Sequence, residues 1–377
     1  MKGEREVLVV GAGPSGAAAA AVLARAGRDV LVLEKDRFPR RKVCGEFLSG
    51  SARGSLARLD ALATVAGEAE PIERASIHPP RGRPVSFALP AAGFGISRAR
   101  FDELLASAAA AAGAEVRFGV RVTGFEETHC GRVRVSIAGA GGREETIPGR
   151  AVVGAWGRWN ALDRALDRRF LRKSGRFFGW SGDYDAPEDA LRGEARLYLF
   201  PGGYAGLSRV EGGAVHLAGV IAERAQRRLG AGWSAVVAHA RRSNPAFDRA
   251  MDLLRLRGGD GGFLGTGPVF FTRKPPAEGR LLMAGDAAGV IDPYLGEGLA
   301  IALESGILAG DTLARAFAGE FGLGEAPRRY ARDWDARFSD RLRRGVAGRA
   351  LMLHPAAARV AAALAGERLV RLAMGSA

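Results

Sequence analysis

Cysteine is almost absent from this chain of 377 residues. Cys44 and Cys130 are too few for a disulfide framework or a cysteine-rich metal site. The histidines are scattered and lack the spacing that places two ligands on one helix face. The sequence therefore predicts no metal centre, and a chain of this length can bury a sufficient core without such cross-links.

Long apolar runs are lacking as well. No stretch approaches the roughly 18 residues of a membrane span, and the first residues lead directly into a strand and a glycine loop, unlike a secretory signal. We therefore expect a cytoplasmic protein without a membrane span. Residues 328–374 mix apolar positions with Arg-rich faces, which favours packed helices and leaves peripheral contact with a membrane surface open.

Negative charge is in deficit, and the formal net charge is +14. The arginines are spread over the whole chain and do not form one block. A nucleic-acid-binding surface requires a clustered basic patch, so we expect no nucleic-acid partner. Some of the basic groups could face an anionic cofactor.

The N-terminal residues carry a complete β-α-β pattern. Residues 4–10 and 29–33 predict buried strands, and residues 17–26 predict the helix between them. Glu34 follows the second strand and can bind both ribose hydroxyls while repelling a 2′-phosphate, so FAD or NAD is expected in place of NADP. The glycines before the helix allow a tight turn and close approach to a pyrophosphate, and the helix amides point at the phosphates. This loop consists of Gly11, Ala12, Gly13, Pro14, Ser15 and Gly16.

A second glycine-rich segment follows the strand predicted at residues 280–284. An Asp at such a strand end can accept hydrogen bonds from a polyol chain, and bare amides at a helix start suit an anionic flavin edge. A plain strand–turn–helix junction is the alternative interpretation of this segment alone. The residues concerned are Gly285, Asp286, Pro293, Gly296, Gly298 and Leu299, at the start of a helix predicted over residues 298–317.

The two motifs together resemble the p-hydroxybenzoate hydroxylase-type flavoproteins, which include group A flavin monooxygenases, geranylgeranyl reductases and flavin-dependent halogenases. The strings GAGPSG and GDAAGVIDPYLGEGLAIALESG carry the resemblance over roughly residues 4–320. It implies FAD contacts from Arg98 at a helix start and from backbone groups at Val122. The segment RRKVCGEFLS resembles the geranylgeranyl reductase branch and implies that Arg41 faces the phosphates while Cys44 and Gly45 approach the flavin ring.

The resemblance has one departure. Ala155, Trp156 and Gly157 stand where many group A hydroxylases carry Ala-Asp-Gly, and Trp156 cannot replace the missing carboxylate. NADPH use by the usual route is therefore in doubt. The tryptophan motif of the halogenases is also absent, which disfavours halogenation.

The predicted fold is α/β, with a Rossmann-type FAD-binding domain, an inserted antiparallel-sheet substrate domain and a helical C-terminus. The FAD-binding domain comprises residues 1–75, 96–165 and 262–320, the substrate domain residues 76–95 and 166–261, and the helical segment residues 321–377. Short strands between Gly turns predict the inserted sheet. The predicted substrate-lining residues are Trp180, Tyr198, Phe200, Tyr204 and His216, and the candidate catalytic residues are Cys44, Glu46 and Tyr294.

The preferred function is an FAD-dependent monooxygenase that hydroxylates or epoxidises an apolar polyketide, terpenoid or aromatic molecule through a flavin C4a-hydroperoxide. The alternative is a geranylgeranyl-reductase-like enzyme that reduces C=C bonds of an isoprenoid or polyketide. Transiently bound NAD(P)H or a separate flavin reductase is expected to supply electrons, since no second dinucleotide motif follows a strand. The expected cofactor contacts also include Lys35, next to Glu34.

Overall fold

A computed structural model describes residues 3–138, 144–158, 160–173, 176–230 and 232–353. Within this part of the chain the strands form two sheets. The strands are β1 (Arg5–Val10), β2 (Val30–Glu34), β3 (Phe47–Leu48), β4 (Glu70–His78), β5 (Val85–Gly95), β6 (Glu115–Phe118), β7 (Arg121–Glu127), β8 (Val133–Ala138), β9 (Glu144–Gly154), β10 (Phe177–Asp185), β11 (Gly193–Phe200), β12 (Gly203–Arg209), β13 (Val215–Ala222), β14 (Arg255–Leu256), β15 (Leu264–Val269), β16 (Ala277–Glu278) and β17 (Leu281–Met283).

The helices pack against these sheets. Each helix in the described residues is too short or too polar to cross a lipid bilayer. The helices are α1 (Pro14–Arg25), α2 (Arg53–Arg58), α3 (Leu62–Glu68), α4 (Arg98–Ala111), α5 (Ala161–Ala165), α6 (Glu223–Leu229), α7 (Trp233–Ser243), α8 (Pro245–Asp252), α9 (Gly298–Phe317) and α10 (Ala326–Leu353).

The first sheet has the order β16-β17-β9-β1-β2-β6, with β7 and β8 attached beside β9. Strands β17, β9, β1, β2 and β6 run parallel, and β1 and β2 are buried almost throughout. Strands covered on both faces read as continuous apolar runs, which explains the Val- and Leu-rich sequences of β1 and β2. The carboxyl end of β1 leads directly into the first glycine loop.

Packing of α1 against α9 joins the two glycine motifs. At Gly306 of α9, a Cβ atom would lie 2.1 Å from the carbonyl oxygen of Ser15, so a larger residue would push the helices apart. Because α1 begins at the first motif and α9 begins at the second, this contact brings the two motifs together.

The second sheet has the order β14-β10-β13-β12-β11-β4-β5-β3, with β15 beside β10. It is antiparallel apart from the β4–β11 pair. One face packs on α7 and α8 through a cluster that includes Phe247 and Met251. The other face lines the same cavity as the two glycine motifs.

The predicted fold class is confirmed, and residues 354–377 of the predicted helical segment lie outside the described residues. The domain boundaries stay predictions, although the sheets differ from them: β4 begins at Glu70, and both β4 and β15 belong to the second sheet. The sequence of residues 235–256 predicts one helix, but the structure has two helices there, α7 and α8. Asn244 separates them, because its side chain accepts hydrogen bonds from the first amides of α8.

Candidate functional site

The first glycine loop is shaped by backbone contacts that exclude side chains. Gly11 has φ +104°, and a Cβ there would lie 2.5 Å from the Ala155 carbonyl oxygen. A Cβ at Gly16 would lie 1.8 Å from the Gly11 carbonyl oxygen. Gly13 differs, since the nearest atom to its missing Cβ is Nη2 of Arg98 at 3.8 Å. The N-terminus of α1 is therefore open to a ligand on the side where a guanidinium lies.

Glu34 is buried at the end of β2. Its Oε2 accepts a hydrogen bond from the Ala12 backbone N–H at 2.9 Å, and its Oε1 accepts one from the Asp36 N–H at 2.9 Å. The carboxylate is thereby fixed beside the glycine loop, where an adenosine ribose would lie. Val122 lies in β7, and Val120 just before it donates its N–H to the Glu34 carbonyl at 2.9 Å. The adenine contact at Val122 stays a prediction.

A cluster of cations lies beside this loop. Arg98 makes a bidentate pair with the fully buried Asp102, at 2.7 and 2.8 Å, and Arg40 Nη1 lies 3.3 Å from the same carboxylate. Burial opposes the charge of Arg98, but Asp102 outweighs it and raises the pKa of the guanidinium. Lys42 lines the cavity, and burial with the nearby Arg40 and Arg98 lowers its pKa to about 8. These cations can neutralise a pyrophosphate.

Arg41 is placed differently from the expectation that it faces the phosphates. Its Nη2 lies 2.8 Å from Asp183 and donates to the Gly262 carbonyl at 3.1 Å, so the side chain points to the second sheet. This position does not support the predicted phosphate contact of Arg41, whereas Lys42, the next residue, lines the cavity. Sequence reasoning also missed Asp102, whose spacing of four residues from Arg98 on α4 was the available signal.

The second motif closes the other end of the same cavity. Gly285 has φ +60°, and a Cβ there would lie 2.7 Å from Ser15 Oγ, so the two motifs touch. Gly296 has φ +68°, and a Cβ there would lie 2.6 Å from the Phe47 ring. The turn at Gly296 therefore lies next to the segment that contains Cys44 and Phe47.

Lys274 ties the second motif to the strand-end loop after β9. It is fully buried, and its Nζ donates to the carbonyl of Asp286 at 2.6 Å and to the carbonyl of Arg158. Burial lowers the pKa of Lys274 to about 7, although Asp163 and Asp286 act in the opposite direction. The ammonium thus fixes the backbone beside Asp286, whose side chain faces the cavity.

One cavity of about 690 Å³ connects all of these elements. Its lining includes Gly13 of the first motif, Gly296 of the second motif and one face of the second sheet. The predicted cofactor residues that line it are Gly13, Pro14, Ser15, Lys35, Cys44, Gly45, Arg98, Ala155, Gly157, Asp286, Pro293, Gly296, Gly298 and Leu299. Gly11, Gly16, Glu34 and Gly285 lie behind this lining and shape it.

The inner wall of the second sheet is apolar. Leu199 lies on β11 and Val220 on β13, and both line the cavity. Neighbouring side chains along a strand point to opposite faces, so Tyr198 and Phe200 lie in the cluster on the α7 side together with Trp180. The prediction that these three aromatic residues line the substrate cavity is therefore wrong, whereas Tyr204 does line it.

Tyr204 and Tyr294 differ in their hydroxyl partners. The Tyr204 O–H donates to Asp292 Oδ1 at 2.5 Å, and Arg349 Nη1 lies 2.5 Å from the other oxygen of Asp292. The Tyr294 hydroxyl is buried and has no hydrogen-bond partner among the residues that the structure describes. Burial raises the pKa of Tyr294, so its hydroxyl is neutral. The oxygen lies against α10, where a Cβ on Gly348 would be 1.9 Å from it, while other atoms of Tyr294 line the cavity.

Two other candidate residues, Glu46 and His216, lie behind the cavity wall. Glu46 is buried, and its Oε1 accepts a hydrogen bond from the Arg98 backbone N–H at 2.9 Å. His216 contacts the Cys44 carbonyl at 2.9 Å. Neither residue is part of the cavity lining, so Glu46 as a catalytic group and His216 as a substrate-lining group are corrected to supporting positions. Burial raises the pKa of the Cys44 thiol, which remains protonated at neutral pH.

Trp156 lines the cavity where the resembling hydroxylases carry an aspartate. Its indole N–H donates to Asp163 at 3.1 Å, and its ring stacks on Phe125 with centroids 5.7 Å apart. Asp163 is fully buried, and its Oδ1 also accepts a hydrogen bond from Nη1 of Arg168 at 3.0 Å. This carboxylate supports the loop from behind, and it was missed although Trp156 and Arg168 lie only seven and five residues from it in the chain.

The donor set fits FAD. Cations and helix amides at Gly13 suit the pyrophosphate, and the fixed carboxylate of Glu34 suits the ribose. Asp286, Gly296 and Gly298 line the same cavity and suit a polyol chain and a ring system. Fold and site together define a flavoprotein of the Rossmann type.

Comparisons with known proteins agree. Residues 4–182 match the family described as the FAD binding domain. The chain is 30% identical to the menaquinone reductase of Mycobacterium tuberculosis, over 90% of this chain and 81% of that protein. It is 26% identical to digeranylgeranylglycerophospholipid reductase 1 of Methanococcoides burtonii, over 91% and 82% respectively. The fold also matches the flavin-dependent brominase Bmp2, with a TM-score of 0.82, 19% identity and coverage of 99% and 94%. The chain belongs to the FAD-dependent oxidoreductase family that includes these reductases, and it is an FAD-binding enzyme.

Proposed function

We propose that this enzyme reduces a carbon–carbon double bond in a long apolar substrate. The observation that carries the proposal is the apolar face of the second sheet, which lines the same cavity as the two glycine motifs. The apolar wall accepts a hydrocarbon chain, and Tyr294 lines the same cavity two residues before the turn at Gly296. The relatives named for reduction of menaquinone and of a digeranylgeranyl lipid support the same class of reaction.

The apolar wall has a clear task in this reaction. It excludes water and orients the substrate chain. The wall is formed by Ala75, Ile77, Val85, Phe87, Leu89, Leu197, Leu199, Val220, Val269 and Phe271.

The polar residues hold the cofactor and supply the proton. FAD, when bound, supplies hydride-transfer chemistry. Arg98 and Lys42 hold the pyrophosphate, and Asp286 accepts hydrogen bonds from the ribityl hydroxyls. A double bond that receives a hydride must also receive a proton, and the uncharged Tyr294 O–H donates it. Tyr204 is less suited, since its hydroxyl is held by Asp292.

The source of electrons is a further part of the proposal. NAD(P)H bound transiently, or a separate flavin reductase, reduces the cofactor. Trp156 occupies the position of the aspartate in the resembling hydroxylases, and its ring is held between Phe125 and Asp163. An indole there offers no carboxylate for the usual route, which favours a separate donor protein.

A monooxygenase acting on an apolar substrate is the second candidate. The observation that favours it is the burial of Ile291, Leu295 and Leu299, which line the flavin end of the cavity. A dry, apolar environment protects oxygen-derived flavin species from water. The Cys44 thiol also stays protonated, so it offers no competing thiolate.

Oxygen separates the two functions. FAD-loaded enzyme is reduced photochemically without oxygen and mixed with menaquinone as a trial substrate. Anaerobic oxidation of the flavin together with saturation of one double bond, detected by mass spectrometry, supports the reductase. Oxygen uptake that depends on substrate, with one oxygen atom added, supports the monooxygenase and contradicts the reductase.

The role of Tyr294 is tested in the same assay. Tyr294→Phe keeps the ring and removes the proton donor, so we expect kcat to fall about 100-fold, in the range of general acid catalysis, with FAD content unchanged. Tyr204→Phe is the matched control and should fall far less. Equal activity of Tyr294→Phe and wild type would remove Tyr294 from the mechanism.

A further inference from the structure

His216 has both ring nitrogens directed at hydrogen-bond acceptors. Its Nε2 lies 2.9 Å from the Cys44 carbonyl oxygen, and its Nδ1 lies 2.6 Å from Asp183 Oδ1 and 3.1 Å from Glu46 Oε2. A neutral imidazole offers one donor and one acceptor, whereas carbonyl and carboxylate oxygens only accept. Both nitrogens therefore need a proton, and the ring fits this position as an imidazolium.

The contact joins the two halves of the molecule. His216 on β13 and Asp183 on β10 are cross-strand partners in the second sheet. Cys44 and Glu46 belong to the segment that follows β2 and borders the turn at Gly296. Glu46 has φ 52°, a left-handed conformation that a non-glycine residue keeps only when its contacts hold it there. Its Oε1 accepts a hydrogen bond from the Arg98 N–H, and its Oε2 faces Nδ1 of His216.

The surrounding charges favour a proton on His216. Burial alone would lower the pKa of His216, but the facing Glu46 and Asp183 carboxylates outweigh burial and raise it. Asp183 also faces Arg41 and Arg257, and these cations with His216 lower the pKa of its carboxyl in spite of burial.

Glu46 is the remaining member of the cluster. Burial raises the pKa of the Glu46 carboxyl, and the nearby Asp183 and Glu211 carboxylates raise it too. The His216 ring and the hydrogen bond from the Arg98 amide lower it. Only Glu46 can compete with the ring for a proton. Because Nδ1 lies closer to Asp183 than to Glu46, the proton on Nδ1 is held by Asp183 whatever the state of Glu46.

We infer that His216 is held as an imidazolium and acts as a positioning residue that fixes the Cys44–Gly45 turn beside the flavin ring. The imidazolium contacts the Cys44 carbonyl of that turn, so it also adds positive charge near the cofactor. Positive charge stabilises a reduced, anionic flavin. The inference rests on FAD binding in the cavity and holds for either reaction in the proposed function.

The protonation state is tested directly by NMR of FAD-loaded protein labelled with ¹⁵N-histidine. We expect one histidine to keep both ring nitrogens protonated at pH 8, and this signal to disappear in His216→Gln. His239→Gln is the matched control and should keep the signal, since the His239 ring contacts the Pro201 carbonyl and Phe200 and no carboxylate among the described residues. A neutral His216 at pH 8 would overturn the inference.

A bound metal is the competing explanation for this cluster. The three ligand atoms of Glu46, Asp183 and His216 lie within 4.8 Å of one another. Addition of zinc or of EDTA to the labelled protein should leave the His216 signal unchanged if a proton occupies the site. A signal that shifts with stoichiometric zinc and returns with EDTA would assign the cluster to a cation and contradict an imidazolium.

The positioning role has its own measurements. In FAD-loaded His216→Gln we expect a lower flavin reduction potential and a shifted visible absorption band, with both unchanged in His239→Gln. An unaltered potential in folded, FAD-loaded His216→Gln would contradict the positioning role.

A second variant serves if His216→Gln fails to fold or to hold FAD. Asp183→Asn keeps His216 and removes one carboxylate charge. The loss of one pKa unit would reduce the imidazolium to neutral-ring ratio at pH 8 about tenfold. An unchanged ratio in Asp183→Asn would overturn the inference that this carboxylate holds the cation.

Discussion

The two ends of the cavity are built by different means. The phosphate end uses backbone of one β-α-β unit: Gly11 and Gly16 lack room for a Cβ, and Glu34 is fixed by the Ala12 and Asp36 amides. The substrate end uses alternate side chains of several strands of the second sheet, such as Leu199 and Val220. Local rules therefore dominate binding of the cofactor, whereas tertiary packing decides what else the cavity accepts.

We expect the largest effect from a charge reversal at the phosphate end. Glu34→Arg places a cation where two amide N–H groups require an acceptor, so we expect loss of FAD binding. Flavin content after purification and reconstitution, read by absorbance, is the measurement. Glu73→Arg, at an exposed position of β4, is the control and should keep its FAD. Full FAD content in Glu34→Arg would contradict the ribose assignment.

The substrate end is tested by adjacent residues on opposite faces of β11. Leu199→Trp fills the cavity, and we expect menaquinone binding, followed by the change in flavin absorption, to weaken about tenfold or more, which is roughly 1.4 kcal/mol. Tyr198→Leu disturbs packing against Phe247 and should lower the free energy of unfolding by about 1–3 kcal/mol with binding retained. Reversed outcomes would mean that the two faces have been exchanged.

Lys274, beside the second motif, makes the free energy of unfolding depend on pH. The pKa of Lys274 is about 7 in the folded protein, against 10.5 for an exposed lysine. Between these values the unfolded chain holds more protons, so stability rises with pH, by at most about 1.4 kcal/mol per unit. Lys274→Met should remove that rise from pH 7 to pH 10 in urea unfolding. Parallel curves for the two proteins would show that Lys274 does not titrate in this range.

We expect the smallest effect, on FAD affinity, from substitution of neighbouring cations at the phosphate end. Lys42→Ala removes a charge at the cavity, and we expect FAD affinity to fall severalfold, as for one charge-assisted contact. Arg41→Ala removes a side chain bound to Asp183, so FAD affinity should stay within about twofold. Titration of apoprotein with FAD, followed by flavin fluorescence, measures both. A larger loss in Arg41→Ala than in Lys42→Ala would restore Arg41 to the phosphates.

The sequence predicted what is encoded locally. The strand, glycine loop, helix and second strand of residues 4–34 occupy the expected places because each depends on neighbours a few residues apart. The helix predicted over residues 298–317 also agrees with α9. The split near Asn244 was missed, although Pro245 after a capping residue was the signal for a new helix start.

The substrate face could not be predicted, because both faces of β11 are apolar. Tyr198, Leu199 and Phe200 are all buried, so alternation alone does not tell which face meets a ligand. The choice of Arg41 among its neighbours could not be made from the sequence for a similar reason, since Arg40, Arg41 and Lys42 are consecutive basic residues. The Asp183–His216–Glu46 cluster joins distant segments and left no local pattern to detect.

The central claim is that one extended FAD molecule spans the cavity from Gly13 to Gly296. A crystal structure of the FAD-reconstituted protein tests it most directly. We predict density with the pyrophosphate at the N-terminus of α1 and the ring between the Cys44–Gly45 turn and Gly296. Density for FAD elsewhere, or a ring directed away from the apolar face of the second sheet, would contradict the account.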